Sequence, residues 1–205
     1  MNANRGATRI TGPQRRDRIL DAAAEGFAAR GFHATSIGEI ADAAGITKPV
    51  VYDHFPSKRE LFVELMETAR DELTSRGAEV MARDAPPEDR IRAAIDAFFA
   101  YVEEHPAAAR VLFTAPKGEP DLYEAARAVQ AEAGARIAAL FAAEPELLPD
   151  VTDRERWIEL FVEFLKQGMH GLAEWWTDHP RVPRGELVDA VMDLVWVGLR
   201  AQFSG

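Results

Sequence analysis

Apolar residues recur along most of this chain at steps of three and four, the spacing that gathers them on one side of an α-helix. The first run covers residues 14–30. Ile19, Leu20, Ala23, Phe27 and Ala28 form its face, and Gly31 marks its end. A second, shorter run holds Ile37, Ile40, Ala41 and Ala44, opened by a hydroxyl of Thr35 or Ser36 and stopped by Gly45. A third follows Thr47. It carries Pro49 in its first turn, where a missing N–H does no harm, turns Val51 and Phe55 inward, and ends at Pro56. Longer helices are predicted over 57–83, 88–104, 107–113, 121–143, 152–178 and 185–203. Ser57 with Glu60 reads as a capping box, and the proline-bearing stretches 115–120 and 144–150 read as connections. No alternating strand pattern occurs, so the fold expected is all-α, with about nine helices.

The second and third runs, joined by a glycine turn, have the form of a helix-turn-helix. With the first helix they make a three-helix head of about 55 residues, close to the lower limit for a core that holds alone. The expected division is therefore 1–56, an N-terminal arm and helix-turn-helix DNA-binding domain, and 57–205, a helical body. The helix from residue 57 leaves the head and enters the body, which makes it the natural lever between them.

Residues 35–58 closely resemble the DNA-binding signature of the tetracycline-repressor (TetR/AcrR) family of transcriptional regulators. The matching positions are Thr35, Ile40, Ala41, Ala44, Gly45, Ile46, Lys48, Tyr52, His54, Phe55, Ser57 and Lys58. The likeness is strong over 14–65 and weak beyond. It implies a homodimer, a double-stranded DNA operator, a small-molecule effector bound in the body, and repression as the usual outcome. No cofactor or metal is expected.

Charge refines this picture. The net charge of −10 is unusual for a DNA binder, but its distribution is uneven. Residues 1–60 carry nine basic and seven acidic side chains, so the remainder is at −12. Five arginines face one aspartate within residues 1–20. The positive field is confined to one end, where phosphate neutralisation needs it, and residues 1–12 read as a mobile arginine arm or a tail without a role. Cysteine is absent, which removes disulfides, thiol chemistry and thiolate metal sites. The N-terminus lacks the apolar run of a signal peptide, and no stretch reaches the ~18 apolar residues of a membrane helix, so a cytoplasmic protein is expected.

A recognition helix needs a side small enough for its backbone to enter the major groove. Thr47, Lys48, Pro49 and Val50 form that side. Lys48 can donate to guanine or to a phosphate, Thr47 to a phosphate or a base edge, and Pro49 and Val50 can touch a thymine methyl. Thr35, Tyr52, His54 and Lys58 read as phosphate contacts, which position without specifying. Tyr52 and His54 are alternatively packing residues, and Lys58 a solvated lysine. Pro49 replaces the smaller residue the family commonly carries. Asp53, unfavourable beside DNA, either points sideways or accepts from cytosine N4.

In the body, two helices are more apolar than one buried face requires, which marks an interface. Phe161, Phe164, Gly168 and Leu172 on one, with Val191, Leu194, Val195 and Gly198 on the other, would form a four-helix bundle with the same residues of a second copy. Such a dimer reads two half-sites of a palindrome. Phe98, Tyr101, His105, Phe113, Tyr123 and Trp175 are candidates for an apolar effector pocket, although aromatic residues at helical spacing more often form plain core. Two competing classes remain. An all-α enzyme would need a catalytic or metal constellation, and the five histidines fall in no such pattern. A non-specific architectural DNA-binding protein would be basic throughout, which −12 on the body opposes.

Overall fold

The computed structural model describes residues 11–114, 116, 118–144 and 152–200, with the backbone alone for 197–200. Nine helices and no strands occur among them. They are α1 (Gly12–Ala34), α2 (Ile37–Ala44), α3 (Lys48–His54), α4 (Lys58–Met81), α5 (Pro87–Glu104), α6 (Pro106–Phe113), α7 (Pro120–Ala142), α8 (Arg154–Asp178) and α9 (Arg184–Arg200). The arginine arm over 1–10, parts of the 115–120 and 144–150 connections, and the predicted end of the last helix at 203 lie outside the described residues.

The chain divides into two compact units, Met1–Leu65 and Met66–Gly205. The boundary falls within α4 rather than at residue 56. Leu61, Phe62 and Leu65, on the first two turns of α4, are buried, and Phe62 packs its ring edge-on against Phe27 and Phe32. The head thus recruits the start of α4 to complete a core that one long helix and two short ones leave thin.

Local chemistry fixes the ends of the head's helices. Thr11 and Gln14 cap α1 reciprocally, and Ser36 and Glu39 do the same for α2, each pair satisfying two orphan donors. Ser36, not Thr35, is therefore the cap of α2. Gly31 sits at φ 78° and breaks α1 after residue 30, leaving one further turn to Ala34. Gly45 sits at φ 68°, and the N–H of Ile46 donates to Ala41 O at 3.0 Å, closing α2 in a left-handed turn.

In the second unit α5 packs on α9 and α7 on α8. Phe141, Ile158 and Val162 form a core cluster with Ile137, Trp157, Phe161 and Leu165 around it. Arg90 ties α5 to the end of α4 through Met81 O and also pairs with Glu144. Arg184 joins α9 to α5 through Asp96 and Glu103. The buried stripe of α8 runs Ile158, Val162, Lys166, Met169, Ala173 and Trp176. Leu160 and Phe164 lie on another face and are exposed, so α8 is apolar on two sides.

Candidate functional site: a helix-turn-helix edge and an internal cavity

The edge of α3 follows from its short sequence. Val51 and Phe55 are fully buried and anchor the helix. That anchoring leaves Thr47, Lys48, Pro49, Tyr52 and Asp53 exposed and Val50 half-buried. Thr47 stands at the N-cap position, yet its side chain makes no cap hydrogen bond. One reason is that the second helical residue is Pro49, which has no N–H to offer. The Thr47 hydroxyl is left available to a partner. Lys48 is exposed and rests against Gly38 of α2, where an added Cβ would lie 2.5 Å from Lys48 Cε. His54 is half-buried beside Phe55.

Two of the expected phosphate contacts are engaged inside the head instead. Thr35 is 1% exposed, and its Oγ1 lies 2.8 Å from Gly26 O and 2.9 Å from Gly31 O, to which it donates. A hydroxyl in that position cannot meet a phosphate. It supplies a donor to carbonyls that the break at Gly31 disturbs. Gly26 is part of the same fit, because an added Cβ there would stand 2.8 Å from Thr35 Cγ2. Lys58 donates from Nζ to Phe32 O at 2.8 Å and Thr35 O at 3.1 Å, and lies 4.3 Å from the Phe32 ring centroid. Its charge closes the end of α1 rather than standing free in solvent.

The second unit contains an apolar cavity of about 140 Å³ between α4, α5, α6, α7, α8 and α9. Leu73, Ile91, Ile95, Phe98, Phe113, Leu140 and Met169 are among its walls, with Arg70, Thr74, Gln130, Lys166 and His170 as its polar groups. Phe98, Phe113 and His170 form a stack of near-parallel rings, with Phe113 and His170 centroids 4.0 Å apart. Burial pushes the His170 imidazole down to about 4, aided by the nearby charge of Lys166, so the ring is neutral near pH 7. Arg70 is buried and held by Asp71 and Glu132, and Arg136 pairs with the same two acids. Hydrogen bonds from Arg70 and Arg136 hold the Asp71 carboxyl below the usual range despite its partial burial.

Comparison with known proteins fits both parts. Residues 19–65 match the family model described as bacterial regulatory proteins, tetR family, and residues 86–195 match that of the tetracyclin repressor-like C-terminal domain. The chain belongs to the TetR family. It is 29% identical over 202 residues to the HTH-type transcriptional activator FasR of Mycolicibacterium smegmatis, covering 96% of this chain and 88% of that protein. It is 39% identical over 91 residues to the HTH-type transcriptional repressor KstR2 of Mycobacterium tuberculosis, covering 44% of this chain and 46% of the relative. Its fold is similar to that of the transcriptional regulator FadR of Bacillus subtilis, solved in complex with stearoyl-CoA. That match has a TM-score of 0.75 at 16% identity and covers 87% of this chain and 96% of that one. This TetR-family protein is a ligand-responsive DNA-binding transcriptional regulator.

Of the pocket residues expected from sequence, Phe98 and Phe113 line the cavity, and Tyr123 lines a neighbouring polar recess. Three do not belong there. Tyr101 is fully buried elsewhere, with Arg76 over its ring and its hydroxyl pushed upward mainly by burial. His105 sits beside that ring and faces Glu72 and Glu104. Trp175 is exposed and stacked on His179. Arg70, Gln130, Lys166 and His170 were not among the expected residues. Lys166 had one signal: it falls on the stripe Val162, Lys166, Met169, where a polar residue is out of pattern.

The expected dimer residues also separate. Phe164 and Leu194 are 73% and 80% exposed, and Leu160 joins them at 64%. Gly168 is exposed and Leu172 half-buried. Val191 and Val195 are buried within their own chain, and Phe161 packs on Phe141 and Trp157. These three are core of the unit. The side-chain position of Gly198 lies outside the described residues. Among the described residues no group of three or more metal-ligating side chains occurs, and no helix is long and apolar enough to cross a membrane.

Proposed function

We propose that this protein acts in the cytoplasm as a homodimer that represses transcription from a palindromic operator and is released when an apolar small molecule fills the cavity of the second unit. The observation that carries this reading is that one chain pairs a helix-turn-helix with an open polar edge and an apolar cavity lined in part by a neutral histidine and two phenylalanines. Thr47, Lys48, Pro49 and Val50 face base edges, while Tyr52 and His54 hold phosphates, as docking of an α-helix in the major groove requires. Leu160, Phe164 and Leu194 meet their counterparts on a second copy, and two-fold symmetry sets the half-site spacing. The neighbour bound to stearoyl-CoA supports a long apolar effector for this architecture. α4 belongs to both units, so a change around Leu73 and Met81 in the cavity wall has a continuous helix through which to act on the head.

Release requires that the effector bind the DNA-free form better, by about 1.4 kcal/mol for each tenfold loss of operator affinity. The test is titration of the full chain onto a palindromic duplex from upstream of its own gene, and onto a scrambled duplex, at several salt concentrations. Preference for the palindrome of about a thousandfold or more is expected. Lys48→Ala should lower affinity by about 1–3 kcal/mol at one operator position only. Equal affinity for both duplexes would overturn specific recognition and favour an architectural role. A relative named as an activator gives a second reading of the output, in which the occupied protein stimulates transcription. A reporter gene behind the same operator separates the two by the sign of its response.

A further inference from the structure

The apolar cavity is not isolated. It shares Leu112, Phe113, Gln130, Lys166 and His170 with an adjoining recess of about 490 Å³ that also holds Arg127, Tyr123 and Glu163. The two spaces therefore share a wall that is partly polar, and Lys166 is its one cation. Lys166 is only 7% exposed. Its Nζ donates to Gln130 O at 3.2 Å and Glu163 Oε2 at 2.9 Å. Room for the ammonium is made by Gly134, where an added Cβ would stand 3.2 Å from Nζ. An ammonium carries three donors, and two are matched within the chain. A buried cation with one donor unmatched, facing both an apolar chamber and a polar one, is a costly arrangement for packing alone.

The surrounding charges select among partners. Arg70, on the cavity side, is neutralised by Asp71 and Glu132. On the recess side Glu163 is the single acid, and it already accepts from Lys166 and Gln167. Arg127 is exposed there and has no partner among the described residues. Two cations thus face one acid that is already engaged.

We infer that the effector is an amphipathic anion, with its apolar body in the cavity and a carboxylate-class end group in the recess, bound by the third N–H of Lys166 with Arg127 as the second cation. This rests on the reading of the cavity as the effector site. Lys166 is then the specificity residue that separates an acid from its ester. The probes are decanoate, methyl decanoate and decylamine, titrated calorimetrically into the full chain, each followed by an operator-binding measurement. Decanoate should bind about tenfold or more tightly than its methyl ester, the difference a charge-assisted hydrogen bond makes. Lys166→Gln should abolish that preference by weakening decanoate and leaving the ester unchanged. If Lys166→Gln loses helical content, Arg127→Gln carries the test, with an expected threefold or greater loss for decanoate alone. Equal binding of acid and ester, with operator release by both, would overturn the anionic head and leave the proposed function standing. Tightest binding by decylamine would overturn it in favour of Glu163. Failure of all three probes to bind would overturn the cavity as effector site and this inference with it.

Discussion

Replacing Gly26 by alanine should change sign in its effect on stability according to what stands at residue 35. Gly26 is an interior position of α1, where alanine is favoured over glycine by about 1 kcal/mol. In the native head that gain is opposed, because the new Cβ would stand 2.8 Å from Thr35 Cγ2. Thr35 cannot withdraw, since its hydroxyl is held at 2.8 and 2.9 Å by two backbone carbonyls. Overpacking of this kind costs about 1–3 kcal/mol, so Gly26→Ala alone should be neutral to destabilising by about 2 kcal/mol. Thr35→Ser removes the methyl and keeps the hydroxyl, at about 1 kcal/mol for the small void left. In that background the next neighbour of the new Cβ is the flexible end of Arg30 at 3.4 Å, and Gly26→Ala should stabilise by up to about 1 kcal/mol.

Thermal unfolding by circular dichroism reads the cycle, with all four proteins at one concentration because any self-association makes Tm depend on it. For a unit of this size 1 kcal/mol is about 4–8 °C, so a coupling of 1–3 kcal/mol is well resolved. Operator affinity measured well below the Tm should be the same for Thr35→Ser as for the native protein. A coupling below about 0.5 kcal/mol would refute the contact, and a flattened salt slope for Thr35→Ser would return the hydroxyl to the phosphates.

Three further outcomes are expected. Lys58→Met should destabilise the head by about 2–3 kcal/mol by removing charge-assisted bonds to Phe32 O and Thr35 O, without changing the salt slope of operator binding; a slope lower by about one would make Lys58 a phosphate contact. His170, held at about 4 against an ordinary 6.5, refuses a proton that the unfolded chain accepts, so its stabilisation is intact above about pH 6.5 and is lost as pH falls toward 4. Between pH 7.5 and 5 that amounts to about 2 kcal/mol, and urea unfolding of His170→Gln should show a correspondingly flatter profile. Phe164→Glu with Leu194→Glu should give a folded monomer by sedimentation and weaken operator binding at least tenfold, because both side chains already face solvent within one chain; a persisting dimer would move the interface elsewhere.

The helices were legible because their signals are local. Periodic apolar faces, Gly31, Gly45 and the prolines placed all nine to within a few residues of the described bounds. Faces were harder where a helix is apolar on two sides. For α8 the sequence put Phe161, Phe164, Gly168 and Leu172 on one face, and only the packing partners show that Phe161 lies against Phe141 and Trp157 while Phe164 points out. The exposed side of α3 was readable, since seven residues anchored by Val51 within the helix and Phe55 at its C-cap leave little freedom. Thr35 and Lys58, expected at phosphates, bond instead to backbone carbonyls of the head, and for one reason the sequence did not show it. A polar residue beside a helix-turn-helix has two kinds of acceptor within reach, phosphate oxygens and the orphan carbonyls of its own helix ends. Sequence names the donor but not which acceptor lies nearer: Gly26 O and Gly31 O for Thr35, and Phe32 O and Thr35 O for Lys58.

Lys166 shows the same ambiguity inside the body. A lysine in an acidic chain is expected on a solvated face, where it would say nothing about a ligand. Here its position on the buried stripe of α8 and the missing side chain at Gly134 hold it at the junction of the cavity and the recess. Burial removes water as a partner, so the third donor must be met by protein or by ligand. The chain's own acid, Glu163, is 59% exposed at its side chain and shared with Gln167. It therefore competes with an incoming anion only weakly, and its pairing can reopen to solvent at little cost. With Arg70 already neutralised by Asp71 and Glu132, Lys166 is the cavity cation whose remaining donor gives the inferred effector a preferred end and a preferred charge.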